Sequence, residues 1–111
     1  MAKVKYVLLL PLTYNDNTAV SKEVRRQIFH DLFVLAGGYH VAGKGKGAYR
    51  MKSGQKQVDK SLEVWVVINE QDEPVLMEMV AGFAGLLDQE AIYLEKVQST
   101  IEFIPPKTDG A

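Results

Sequence analysis

The sequence predicts an α+β domain of βαββαβ order, an antiparallel sheet with two helices on one face, and three observations carry that expectation. Two stretches, Tyr6–Tyr14 and Leu62–Ile68, are apolar on both of their alternating sets of side chains, as strands covered on both faces are. Two others, opening near Ser21 and Asp72, repeat their apolar residues at helical steps. Between them, Tyr39–Ser61 is rich in glycine and lysine and almost free of large aliphatic residues, the composition of an exposed sheet edge.

The first strand spans Tyr6–Tyr14 and ends at the turn cluster Asn15-Asp16-Asn17. Ser21 then offers an N-cap, and Glu23 places an anion in the first turn, where the helix dipole favours it. Val24, Ile28, Leu32 and Leu35 make one stripe of this helix, broadened by Phe29, Phe33 and Ala36, and Gly37-Gly38 supplies its left-handed stop. Residues 39–51 are expected to form a polar, pliable strand and 52–60 a hairpin turn or loop. Leu62–Ile68 resumes a strand, with Glu63 its one polar interruption.

Asp72-Glu73-Pro74 opens the second helix, where a proline costs no hydrogen bond, and Leu76, Met79, Val80, Phe83, Leu86 and Leu87 follow its stripe. Gly82 and Gly85 lie inside it; either they admit a close neighbour or the helix is not optimised. Ala91–Val97 reads as a further strand and Ile101–Ile104 as a last short one, separated by a kink at Gln98-Ser99-Thr100. Residues 1–106 are therefore expected to form one α+β domain and 107–111 a flexible C-terminal tail.

That order matches the ferredoxin-like split βαβ arrangement, with strands one and three central. If both helices cover one sheet face, Val7, Leu9, Trp65 and Val67, or else their opposite-facing neighbours, are left on the other. Contiguous apolar patches beyond about 300–600 Å² are rare on soluble monomers. The sequence thus predicts self-association through the open face, as a homodimer or homotrimer.

At 111 residues and 47% apolar, the chain has the size and composition of a single globular domain. It lacks cysteine altogether, which excludes disulfides, thiolate chemistry and Cys-ligated metal centres. Pro11 and the polar residues after it make Tyr6–Leu12 a poor signal peptide, and no apolar run is long enough to span a bilayer. A cytoplasmic protein with no membrane partner is expected.

Charge is unevenly distributed. Lys44, Lys46, Arg50, Lys52, Lys56 and Lys60 against Asp59 give residues 40–60 a formal +5, so with a total of −1 the rest of the chain carries −6. In an extended segment the even-numbered His40, Lys44, Lys46, Arg50 and Lys52 project from one side, with Gly43, Gly45 and Gly47 on the other. This stripe is the candidate site for a small anionic ligand such as a phosphate; the plainer reading is a solvated edge hairpin. The overall charge is slightly acidic and stacking aromatics near the stripe are few, which disfavours nucleic acid.

No nucleophile elbow, Walker A or dinucleotide fingerprint is present, and GKGKG opens no helix. His30 and His40 make no metal-ligand set, and neither metal nor cofactor is expected. Tyr49, Asp59, Ser61, Gln89 and Glu90 form a second candidate, a polar cluster brought together near one end of the sheet, in which Glu90 could act as a base if desolvated.

From Gly37 to Glu95 the chain resembles a group of uncharacterised bacterial domains of PII-like, ferredoxin-type architecture. The resemblance is carried by Gly47-x-Tyr49-Arg50, Gly54, Asp59-x-Ser61 before an apolar strand, and Gln89-Glu90-Ala91-Ile92 after the second helix. It implies the fold, and by analogy with PII-type signalling proteins a partner-contacting loop between strands two and three and nucleotide clefts between subunits. Three functions follow as expectations. The first is a homo-oligomeric ligand-binding or regulatory domain meeting an anionic, nucleotide-like group at the 40–60 hairpin. The others are a small cofactor-free enzyme with a pocket between helices and sheet, and a structural adaptor.

Overall fold

The computed structural model describes residues 2–108. Its elements are β1 (Lys3–Pro11), α1 (Lys22–Ala36), β2 (His40–Arg50), β3 (Lys56–Asn69), α2 (Glu73–Leu86) and β4 (Leu94–Val97), with one 3-10 turn, Glu70–Asp72, leading into α2. The sheet is antiparallel in the order β2-β3-β1-β4, so the two most apolar strands are central, as the sequence predicts. The C-terminal tail falls partly outside the described residues, which end at Thr108.

The core lies between the helices and one sheet face. Tyr6, Leu8 and Leu10 of β1 and Val64, Val66 and Ile68 of β3 are buried against Ile28 and Leu32 of α1 and Leu76, Val80, Phe83 and Leu87 of the second helical segment. Alternation fixes the other face: Val7 stands opposite Trp65, Lys5 opposite Val67 and Leu9 opposite Glu63. Val7, Leu9, Trp65 and Val67 share this helix-free face and are half-buried.

The helices begin and end as their sequences dictate. Ser21 Oγ accepts from the Val24 N–H at 3.2 Å, and Gly37 adopts φ 76° while its N–H returns to the Phe33 carbonyl. Phe33 differs from expectation: it is 56% exposed, because the stripe centred on Ile28 and Leu32 faces the sheet and Phe33 lies beside it. A Cβ at Gly82 or Gly85 would meet nothing, so no close neighbour explains either glycine.

The N-terminus of α2 is tied to the sheet by polar contacts. The Tyr6 hydroxyl donates to Glu73 Oε2, and Lys96 Nζ lies 3.1 Å from the same carboxylate. Burial first, then the bond to Glu73, pushes the Tyr6 phenol up to about 12. The Tyr6 bond first, then Lys96, holds Glu73 below the usual carboxylate range.

Strand boundaries in the second half differ from the expectation. Residues 56–60, expected as loop, are strand: β3 runs for 14 residues and pairs with β2 out to Arg50 opposite Lys56, leaving a turn of only 51–55. Backbone bonds from Met51 N to Gln55 O and from Gly54 N to Met51 O close that turn, with Gly54 at φ 88°. The resulting ribbon projects past the end of β1, which stops at Pro11 opposite Ser61. β4 covers only Leu94–Val97, and Ile101–Ile104 forms no strand. Val97 already faces Lys5, so four residues further on the partner strand is exhausted.

Candidate functional site

The ribbon and the loop after α2 enclose a cavity of ≈ 350 Å³ beside the open sheet face, lined in part by Tyr49, Arg50, Asp59, Ser61, Gln89, Glu90 and Tyr93. β1 contributes Leu9 and Pro11 to its floor. The five polar residues selected from the sequence therefore border one space, although they come from three separate segments.

Local bonds hold the walls. Lys52 N–H at the ribbon turn donates to Glu90 Oε1 at 2.9 Å, tying the tip of the ribbon to the loop after α2. Gln89 Nε2 donates to Asn15 Oδ1 and to the Leu87 carbonyl, each at 3.2 Å, and its N–H caps back to the Ala84 carbonyl. Asp88 at φ 53° makes the reversal that delivers Gln89 and Glu90 to the cavity. Glu90 thus spends one carboxylate oxygen on the backbone of the ribbon turn.

Asp59 and Ser61 are each only 8% exposed, although both are polar. The Asp59 carboxylate receives a 3.3 Å bond from Gln57 Nε2, a weak partner for a buried carboxylate, whose remaining acceptor capacity suits a ligand donor. Tyr49 and Tyr93 border the same cavity. The Tyr93 hydroxyl donates to Glu95 at 2.9 Å; that bond first, and charges including Tyr49 after it, raise the Tyr93 phenol above its usual range.

A strip of glycines continues this surface. Gly43, Gly45 and Gly47 stand opposite Glu63, Ser61 and Asp59, and a shallower hollow of ≈ 250 Å³ lies along them. A Cβ on Gly47 would come within 2.6 Å of Tyr49 Oη, so glycine is what lets the Tyr49 ring lie back along its own strand.

The predicted basic stripe is divided. The register slips between Val41 and Gly43, inserting a β-bulge that reverses the alternation. His40 therefore faces Trp65 on the open face, with ring centroids 4.8 Å apart and planes 28° apart, and Lys5 Nζ lies 4.8 Å from the Trp65 ring. Lys44, Lys46 and Arg50 pair with Leu62, Lys60 and Lys56 and so belong by register to the reverse side of the ribbon, while Lys52 sits in the turn. The sequence-based grouping of His40 with the lysines is corrected by the bulge, which no residue pattern announces. Sequence reasoning misses Tyr93, Leu9 and Asn15 as cavity residues, because the stretch after α2 reads as one continuous strand.

Between α1 and the sheet, the space bordered by Leu10, Ile28, Phe29 and Leu87 measures only ≈ 10 Å³, about one water. That space is far too small for the pocket that the enzyme expectation places in this layer. Among the described residues, no cluster of three or more His, Asp or Glu side chains able to hold a metal occurs, and no helix is long and apolar enough to cross a membrane.

Two solved structures share this architecture. The divalent cation tolerance protein (Cut A1) of Thermus thermophilus superposes with a TM-score of 0.65 at 19% identity, over 92% of this chain and 88% of that one. A phage SAM lyase in complex with S-methyl-5'-thioadenosine superposes with a TM-score of 0.66 at 14% identity, over 86% and 80%. At such identities the likeness establishes the ferredoxin-like fold and no more. No family model matches the chain, and no curated protein does, so the resemblance read from the sequence stands at the level of the fold.

Proposed function

We propose that the chain is a homo-oligomeric ligand-binding or regulatory domain that seats a nucleotide-like ligand at the base of the basic ribbon. The observation that carries this reading is the cavity on which Tyr49, Asp59, Ser61, Gln89 and Glu90 converge with Arg50. Its volume falls at the small end of ligand pockets, about 300–1,000 Å³. Tyrosine rings suit a planar base, and the poorly partnered Asp59 suits hydroxyl or amino donors. The +5 charge of residues 40–60, whose Lys44, Lys46 and Arg50 lie by register on the reverse side of the ribbon, attracts an anionic end through the field rather than by direct contact. The phage enzyme of the same fold holds a thioether of adenosine, which makes adenine nucleosides and nucleotides the first class to try.

Self-association belongs to the same proposal. Leu9 borders the cavity and also lies on the open face with Val7, Trp65 and Val67. A second copy laid on that face would cover apolar surface and close the mouth of the cavity.

The test is thermal denaturation of the full chain with adenosine, S-methyl-5'-thioadenosine, AMP, ATP, inorganic phosphate and divalent cations, each added separately. Saturating ligand at a hundredfold excess over its Kd should add about 2.7 kcal/mol, or roughly 10 °C for a domain of this size. Asp59→Asn should abolish the shift for every adenosine compound. The Lys44→Ala/Lys46→Ala/Arg50→Ala variant should weaken nucleotides and spare uncharged adenosine. A panel without any shift would sink the proposal.

A further inference from the structure

Residues 98–108 leave the sheet, and apart from the half-buried Ile101 every one of them is exposed. Pairing with β1 stops at Val97, opposite Lys5, and among the described residues no backbone hydrogen bond joins 98–108 to the rest of the molecule. Yet the segment is not a polar tail. It contains Ile101-Glu102-Phe103-Ile104, whose Phe103 and Ile104 are 71% and 78% exposed, the most exposed large apolar side chains of the described chain. Branched and aromatic residues bounded by Pro105-Pro106 are the composition of a short strand.

At the opposite edge of the sheet, β2 presents eleven residues whose outward backbone groups have no neighbouring strand among the described residues. A free edge of that length is a template for strand addition. Side-chain bulk is complementary. β2 carries Gly43, Gly45 and Gly47 on the open face, where the side chains of an added strand would find room at alternate positions.

We propose that Ile101–Ile104 of one copy adds as a strand to the free edge of β2 in another copy, its Phe103 side chain lying over the glycine strip. The inference rests on the self-association proposed above and goes beyond it by naming donor and acceptor. These lie on opposite edges of the sheet, so the contact is heterologous: each copy gives at one edge and receives at the other. Such a contact closes into a ring, or into a two-fold pair when two donations are reciprocal. It also brings a partner's side chains to the hollow that borders Tyr49, so the ligand cavity would be completed in trans.

The experiment measures mass by sedimentation velocity and amide exchange across His40–Arg50, on the full chain and on two variants. One is Phe103→Asp/Ile104→Asp; both side chains are exposed, so the fold should survive, and circular dichroism checks that it does. The other is Trp65→Glu on the open face. The wild-type chain should be oligomeric with the outward β2 amides protected. The Phe103→Asp/Ile104→Asp chain should bind its copies roughly tenfold or more weakly and lose that protection. If Trp65→Glu separates the copies and Phe103→Asp/Ile104→Asp does not, self-association stands and strand addition is overturned. Dissociation of the double variant with β2 protection unchanged overturns it as well. A wild-type monomer at micromolar concentration overturns both proposals.

Discussion

Leu8 and Leu9 are chain neighbours on opposite faces of the same central strand, and their alanine variants should behave differently. Leu8 is fully buried between Val64 of β3 and Leu94 of β4, its register partners, under the two helices. Deleting three carbons forfeits about 2.4 kcal/mol of transfer free energy at ~0.8 kcal/mol per methylene, and the cavity left behind brings Leu8→Ala to about 3–5 kcal/mol. With an unfolding entropy of roughly 2.1 cal/mol/K per residue and 111 residues, the midpoint should fall by roughly 13–22 °C. Leu9 is half-buried on the open face, so Leu9→Ala should cost the isolated chain only about 1 kcal/mol. Its cost should rise with protein concentration if a second copy covers that face, because association then contributes to stability. Differential scanning calorimetry over a hundredfold dilution series checks both. Equal losses for the two variants in dilute solution would refute the assignment of faces, and a Leu9→Ala effect independent of concentration would refute the interface.

Gly82→Ala should stabilise the protein by up to about 1 kcal/mol, since the added methyl meets open space; a lower melting temperature would mean that something occupies that surface. Gly47→Ala should force the Tyr49 ring off the strand. As Tyr49 is largely exposed, the melting temperature should barely change while binding in the cavity is lost; a large stability loss would contradict the reading. Stability should also depend on pH through Glu73 and Tyr6. Because Glu73 titrates below its ordinary value, its contribution is present above that value and fades as pH falls through the lowered one. Tyr6 titrates at about 12 instead of 10, so its contribution is complete below pH 10 and is lost as pH rises towards 12. In urea titrations across this range, Tyr6→Phe should show a smaller change at both ends, and an unchanged profile would remove the Tyr6–Glu73 bond from the account.

Much of the site is legible in the residues, but not its sidedness. Tyr49, Asp59, Ser61, Gln89 and Glu90 group together because the ribbon and the segment after α2 both meet the sheet at the same end, beside Leu9 and Pro11, which the order of elements alone dictates. His40 is misplaced by a simple reading because alternation along a strand holds only while pairing is regular. The single extra residue at Val41/Gly43 turns it from the lysines towards Trp65. Residues 56–60 read as loop from their polarity, yet a two-stranded ribbon clear of the core has no apolar face to display.

By itself, the sequence determined whatever depends on local periodicity: the two helices, the caps of α1, the central place of β1 and β3, and the exposed edge rich in glycine and lysine. These follow from burial, which each residue type signals for itself. Only the tertiary structure decided the length of the ribbon, the bulge that divides the basic stripe, the late start of β4 and the cavity between the ribbon and the Gln89–Glu90 loop. Each of those depends on the register of one segment against another. Register is a property of pairs of residues distant in the chain, and no single stretch of sequence carries it.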